Sequence, residues 1–159
     1  MYTNYSVLYQ MVEINPRDLL ILSKLREDAR TKLTKLSKET NVPISTLFDK
    51  IKDYKGDLIT KFSCFIDFKK LGYPVQSTIL VQVGGDERNK LKEFFERSAN
   101  TNSIYKINNG YNFMVHCIFK SIQDNERFLE LIEEKFNITS LQNYYVIEYI
   151  KVEEFKFSM

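Results

Sequence analysis

The single histidine, His116, is followed by Cys117, and a thiol beside an imidazole is the pairing on which nucleophilic catalysis is built. The apolar and polar alternation around them predicts a strand. Neighbours in a strand point to opposite faces, so the imidazole cannot reach the thiol, and packing in a core or interface is the expected role. Gly84-Gly85-Asp86 has the glycines of a phosphate loop but lacks the Gly-Lys-Ser/Thr that must follow, and a strand-to-helix turn capped by Asp86 accounts for it. Cys64 and Cys117 are far apart and neither has a CxxC partner, which excludes a zinc ribbon and a disulfide framework. Both are expected to be reduced and half-buried. Asn137-Ile138-Thr139 fits a glycosylation acceptor, but a chain without an export signal never meets that machinery. No catalytic constellation, metal site or cofactor is expected, and the chain is not read as an enzyme.

The remaining chemistry lies in charge. Residues 16–72 hold 13 lysines and arginines against 8 acids, whereas residues 73–159 hold 10 against 12. Positive potential gathered in one half is what a nucleic-acid contact surface requires. Within that half, Ser45, Thr46, Asp49, Lys50, Lys52 and Asp53 interleave with Ile44, Leu47, Phe48, Ile51 and Tyr54, which recur at offsets of three and four. The spacing predicts a helix over 44–54 with the five apolar residues inward and the small polar and basic groups outward.

The elements that position this helix are legible around it. Asn15-Pro16 marks a helix start, Asn capping free N–H groups and Pro sitting where no donor is needed. Ile21, Leu22, Leu25 and Ala29 form an inward stripe to about residue 29. A shorter helix fits 32–40 with Leu33 and Leu36 inward, and Pro43 in Asn41-Val42-Pro43 cannot continue it. Lys55-Gly56-Asp57 ends the third. Three helices with a tight turn before the last describe a helix-turn-helix, whose later helix enters the major groove.

After Ile59 the period changes from 3.6 to 2: Phe62, Cys64, Ile66 and Phe68 alternate with Ser63, Phe65, Asp67 and Lys69, which predicts a strand, and Gly72 is a candidate hinge. The second half then reads strand 75–83, helix 87–98, strand 103–108, strand 113–120, helix 125–136 and strand 141–152. That β-α-β-β-α-β order places two helices on one face of a four-stranded antiparallel sheet. Tyr145, Ile147 and Tyr149 are expected on the other face, too apolar to stay bare, so a sheet-to-sheet homodimer is predicted.

The fold class is therefore α+β: an N-terminal winged helix-turn-helix followed by a ferredoxin-like β-α-β-β-α-β (RAM-type) domain. The expected division is an arm over 1–14, including Tyr5, Val7, Leu8, Tyr9 and Met11, which packs on a neighbouring subunit; a helix-turn-helix over 15–59; a linker strand and hinge over 60–73; and a dimerisation and effector domain over 74–159. At 43% apolar and 14% aromatic, 159 residues can bury such a core. No stretch has the length of a membrane span, and the opening residues lack a secretion signal, so a cytoplasmic protein is expected.

Asp18-x-x-Ile21-Leu22-x-x-Leu25-x-x-Asp28-Ala29-Arg30, Leu33 and Leu36, Val42-Pro43-Ile44-Ser45-Thr46, Ile51, Ile59 and Leu71-Gly72-Tyr73 together resemble the Lrp/AsnC (leucine-responsive, feast/famine) family of transcription regulators. Val-Pro-Ile-Ser-Thr is similar to its archaeal members. The resemblance spans about residues 15–151 and implies a regulator of double-stranded DNA that dimerises through its second domain, assembles further to an octamer or another higher oligomer, and is modulated by an amino acid. It places Ser45, Thr46, Asp49 and Lys50 nearest the bases and Lys52 nearer the backbone, with Lys32 and Lys55 completing the DNA-binding set. Lys50 and Lys52 stand where arginine is common in the family, and lysine lacks the fork that reads guanine. The family's effector turn, Gly-x-x-Asp, falls on Asn109, Gly110, Tyr111 and Asn112. Asn112 cannot neutralise an ammonium group, so amino-acid binding is expected to be altered or absent, and a plain hairpin turn with Gly110 at positive φ is the competing reading. The alternative function is a small-molecule sensor or assembly protein with little DNA affinity.

Overall fold

In the computed structural model, which describes residues 14–155, the helical half is built from short elements closed by side chains. Helix α1 spans Pro16–Glu27, and the Asn15 side chain accepts a hydrogen bond from the Asp18 N–H, as an N-cap should. It stops earlier than its apolar stripe implied. Asp28 is extended and its carboxylate accepts from the Arg30 N–H at 2.9 Å, which turns the chain and leaves Ala29 exposed rather than inward. Helix α2 spans Leu33–Thr40 and ends on Asn41 in the left-handed region, with φ 54° and ψ 37°. The Ser37 hydroxyl donates to the Val42 carbonyl at 2.6 Å, tying the turn down before α3, Ile44–Tyr54, begins. Ile21, Leu25, Leu36, Val42, Leu47 and Tyr54 form the core of this half, with Leu22, Leu33, Ile51, Leu58 and Ile59 packed around them. The expected wing reduces to a single bridge between Lys55 and Ile59.

The described residues divide into two units: 14–64 with 153–155, and 65–152. Residues 60–67 form no strand. Their alternation is real, but a strand needs a neighbour to bond to and no segment among the described residues supplies one. Cys64 is consequently exposed, against expectation, while Cys117 is buried. The expected arm falls, except for Ile14, outside the described residues.

The second unit is a four-stranded antiparallel sheet ordered β2-β3-β1-β4, with β1 Val75–Val83, β2 Thr101–Lys106, β3 Phe113–Phe119 and β4 Ile138–Tyr145. Helices α4, Arg88–Arg97, and α5, Ile122–Lys135, supply Leu91, Phe95, Phe128 and Ile132, which pack on Ile79, Val81, Val83, Phe113, Val115 and Phe119. Asp86 caps nothing: it lies in a 3-10 turn, Gly85–Glu87, ahead of α4. Cys117 belongs to this core and burial pushes its thiol up to about 12, so it is inert at neutral pH.

Register overturns one expectation about the last strand. Tyr145 pairs with Ser77, whose side faces the helices, and its hydroxyl donates to Glu126 of α5 at 2.7 Å. Tyr144, paired with Thr78, is the strand's tyrosine on the outer face; Ile147 and Tyr149 lie beyond the strand's end, and the Tyr149 hydroxyl still donates to the side-chain oxygen of Gln76, an outer-face residue. With a side-chain period of two, an error of one residue moves every side chain to the opposite face. The outer face therefore carries Thr78, Leu80, Met114, His116 and Ile118 in the middle, Gln76 and Gln82 towards the ends of β1, and Tyr105 and Tyr144 at the sides.

Candidate nucleic-acid interface

Leu47, Ile51 and Tyr54, at offsets of four and three, turn one side of α3 into the helical core, with Leu47 and Tyr54 fully buried. The opposite side therefore follows from 100° per residue. Ser45, Asp49 and Lys52, at offsets of four and three, form one exposed row. Ile44 and Phe48 form a second row beside it, 46% and 60% exposed. These two were expected inward. Leu47, Ile51 and Tyr54 already fill the inward face, and Phe48 is rotated 100° from Leu47, which the 3.6 period would have shown.

Lys50 and Thr46 stand elsewhere. The Lys50 ammonium lies 2.7 Å from the Asp18 carboxylate, which itself bonds the Asn15 side chain at 3.0 Å. Burial opposes ionisation of Asp18, but Lys50 and the surrounding hydrogen bonds outweigh it and hold the carboxyl below its ordinary value. Tyr54 sits close by. Its buried hydroxyl closes no hydrogen bond of good geometry, and burial followed by the Asp18 charge drives its pKa well above that of a free phenol. Thr46 and Lys50 line an open hollow of about 550 Å³ with Asn15, Arg17 and Asn41. The ion pair thus clamps α3 to the start of α1, and the charge of Lys50 is spent there.

The other predicted cations are exposed. Lys32 is the N-cap residue of α2, and Lys55, just past α3, lies over the Phe62 ring at 5.6 Å. Arg17, missed by sequence reasoning, adds an exposed cation at the rim of the hollow. What signals it is its place in the first turn of α1, opposite Thr46.

The candidate effector residues lie in the second unit. Asn109 and Gly110 both have positive φ, 64° and 94°, so the β2–β3 connection is a tight hairpin turn of the primed kind. Asn112 is held at three points: its side-chain oxygen accepts from the Val83 N–H at 2.7 Å, its own N–H donates to the Val81 carbonyl, and its carbonyl accepts from Ile107. It clasps the hairpin to the end of β1. Tyr111 is half-buried beside it.

No metal-ligating cluster occurs among the described residues, and none of their helices is long and apolar enough to cross a membrane. His116 and Cys117 face opposite sides of the sheet, as the alternation required.

No protein-family model matches the chain. Among curated proteins, an uncharacterized HTH-type transcriptional regulator of Pyrococcus furiosus is 25% identical over 146 residues, covering 91% of this chain and 98% of that protein. Another HTH-type transcriptional regulator of Pyrococcus furiosus is 30% identical over 116 residues, covering 70% and 76%. Among solved structures, the complex of a Neisseria meningitidis transcriptional regulator with L-Met superposes with a TM-score of 0.81 at 15% identity over 88% of this chain and 94% of that one. LrpC of B. subtilis does so at 0.78 and 18% over 88% and 99%. At such identities the structural likeness is one of fold.

Proposed function

Because this chain belongs to the Lrp/AsnC family of helix-turn-helix transcription regulators and so acts on double-stranded DNA, we propose that it does so with the exposed rows of α3 and through a dimer built on the outer face of its sheet. The observation that carries the DNA-facing part is the inward placement of Leu47, Ile51 and Tyr54, which leaves Ser45, Asp49 and Lys52 as the outward row. Lys32, Lys55 and Arg17 are cations suited to flanking phosphates. Lys50 is withdrawn from the base-reading set because Asp18 holds it. The site of action is the cytoplasm, with the DNA.

Dimerisation is supported by the outer face itself. Leu80, Met114 and Ile118 lie on that face with His116, whose direct cross-strand neighbours are Thr78 and Ser103, and Tyr105 and Tyr144 are about half exposed. Isologous packing of two such faces is the simplest cover for them. A dimer presents two α3 helices, so its target is a palindrome with half-sites about one helical turn, or a multiple, apart. An amino-acid effector, such as the L-Met of the Neisseria meningitidis regulator, finds no carboxylate in the 109–112 turn, and the Asn112 side-chain oxygen, which stands where the family has the acid, already accepts from the Val83 N–H. Regulation by a zwitterionic amino acid at that turn is therefore weak or lost.

Fluorescence anisotropy of the full chain with a pool of labelled duplexes, from low to physiological salt, tests this. Wild-type binding should weaken steeply with salt, and Lys52→Glu should abolish it with an unchanged melting temperature and oligomeric mass. Undiminished affinity in Lys52→Glu refutes the assigned surface. In the same series Leu80→Lys should yield monomers by sedimentation.

A further inference from the structure

Among the described residues the row formed by Ile44 and Phe48 takes no part in the buried core. A phenyl ring 60% exposed in the middle of a helix forfeits the gain of burial, and Leu47, next to it, already supplies the core contact. Beside it Asp49 is exposed and has no ion-pair partner among the described residues. The arrangement is therefore an apolar row and an acid on adjoining lines of one helix face.

On the reading of α3 as the groove helix, each of these groups selects its own base. Phosphates repel a carboxylate, so Asp49 gains only where it accepts a hydrogen bond. In the major groove the exocyclic amines of cytosine and adenine are the donors, and adenine sets the N7 acceptor beside its amine, whereas cytosine presents the amine alone. The apolar group on the groove floor is the thymine methyl. The geometry points to direct reading of pyrimidines: Asp49 accepts from a cytosine amine while Phe48, backed by Ile44, packs on a thymine methyl. Because residues 48 and 49 are consecutive, the two base pairs are adjacent or one step apart. Each half-site thus carries a closely spaced thymine and cytosine.

Selection of a duplex from a random-core pool by the full chain, followed by remaking it with deoxyuridine at each thymine in turn, isolates the methyl, since uracil keeps every hydrogen bond. One thymine per half-site should show about a fourfold loss of wild-type affinity, the worth of one buried methyl, and Phe48→Ala should bind as tightly to the uracil duplex as to the thymine one. Asp49→Asn should move the preference at a neighbouring pair from C·G to A·T by about tenfold, because asparagine matches adenine. Both side chains are exposed, so the variants should melt with the wild type.

Tight wild-type binding that ignores every uracil overturns this inference and leaves the DNA-facing reading of α3 standing. A uracil penalty that persists in Phe48→Ala does the same. A changed oligomeric mass in Phe48→Ala assigns the ring to a second copy of the chain and overturns it too. Absence of any wild-type binding at low salt overturns both readings together.

Discussion

The two units solve the problem of stability differently. The sheet unit buries eleven apolar residues in one core, four of them phenylalanines, and Phe94 joins Phe95, Phe128 and Phe136 in a cluster with ring centroids 5.6–6.4 Å apart. One of its buried polar groups, Asn125, is satisfied by Ser77 at 2.9 Å and Tyr145 at 3.2 Å. The helical unit buries six and relies on polar closures, namely the Asn15 cap, the Asp28 turn, the Ser37 bond and, between helices, the Asp18–Lys50 pair. On the proposed reading, a helix that offers one face to DNA cannot bury that face, so the small unit gives up hydrophobic burial there and replaces part of it with polar clamps.

The contrast is testable, beginning with the largest change. Phe95→Ala should cost about 3–5 kcal/mol, enough to melt the sheet unit; loss of the dimer by sedimentation, with retained helical circular dichroism from α1–α3, is the expected signature. Leu47→Ala should cost about 2–4 kcal/mol, a large share of what six buried residues supply. DNA binding should vanish while the strand signal and oligomeric mass persist. Joint loss of both signals in either variant would mean that the units do not fold separately.

Asp18→Asn sharpens the comparison at about 1–2 kcal/mol, between exposed and fully buried pairs. Its sign with pH is fixed by the lowered carboxyl pKa: the contribution is complete above the ordinary value of 3.8 and fades as pH falls through the folded value. Wild type and variant should therefore converge in acid, as read by urea melts across pH. A constant gap would show that the pair contributes packing rather than charge.

The smallest effect belongs to His116. Burial lowers its pKa below 6.5, so the folded state favours the neutral ring. Stability should be full above pH 6.5, decline as pH falls and level off below the folded pKa, with a slope under about 1.4 kcal/mol per pH unit. His116→Gln should remove that slope and leave the helical unit untouched. If the outer face is covered in the dimer, the same decline should appear in the dimer dissociation constant.

Periodicity alone determined most of the elements. The 3.6 period delimited α1–α3 to within two residues, α3 at its full extent, and the period of two did the same for β1, because each is a local pattern of apolar residues backed by Asn15, Pro43 or a change of period. The β-α-β-β-α-β order followed from the same local signals. What sequence could not determine was partnership across distance. Asp18 and Lys50 lie in different helices and only packing brings them to 2.7 Å, a partner that the place of Lys50 in α3 did not announce. Asn112 meets the Val83 N–H only because β3 pairs with β1. The face of Tyr145 depended on strand register, which a sequence with tyrosines at both 144 and 145 leaves open. Residues 60–67 have the alternation of a strand but not its hydrogen bonds, since a strand, unlike a helix, is completed by another segment.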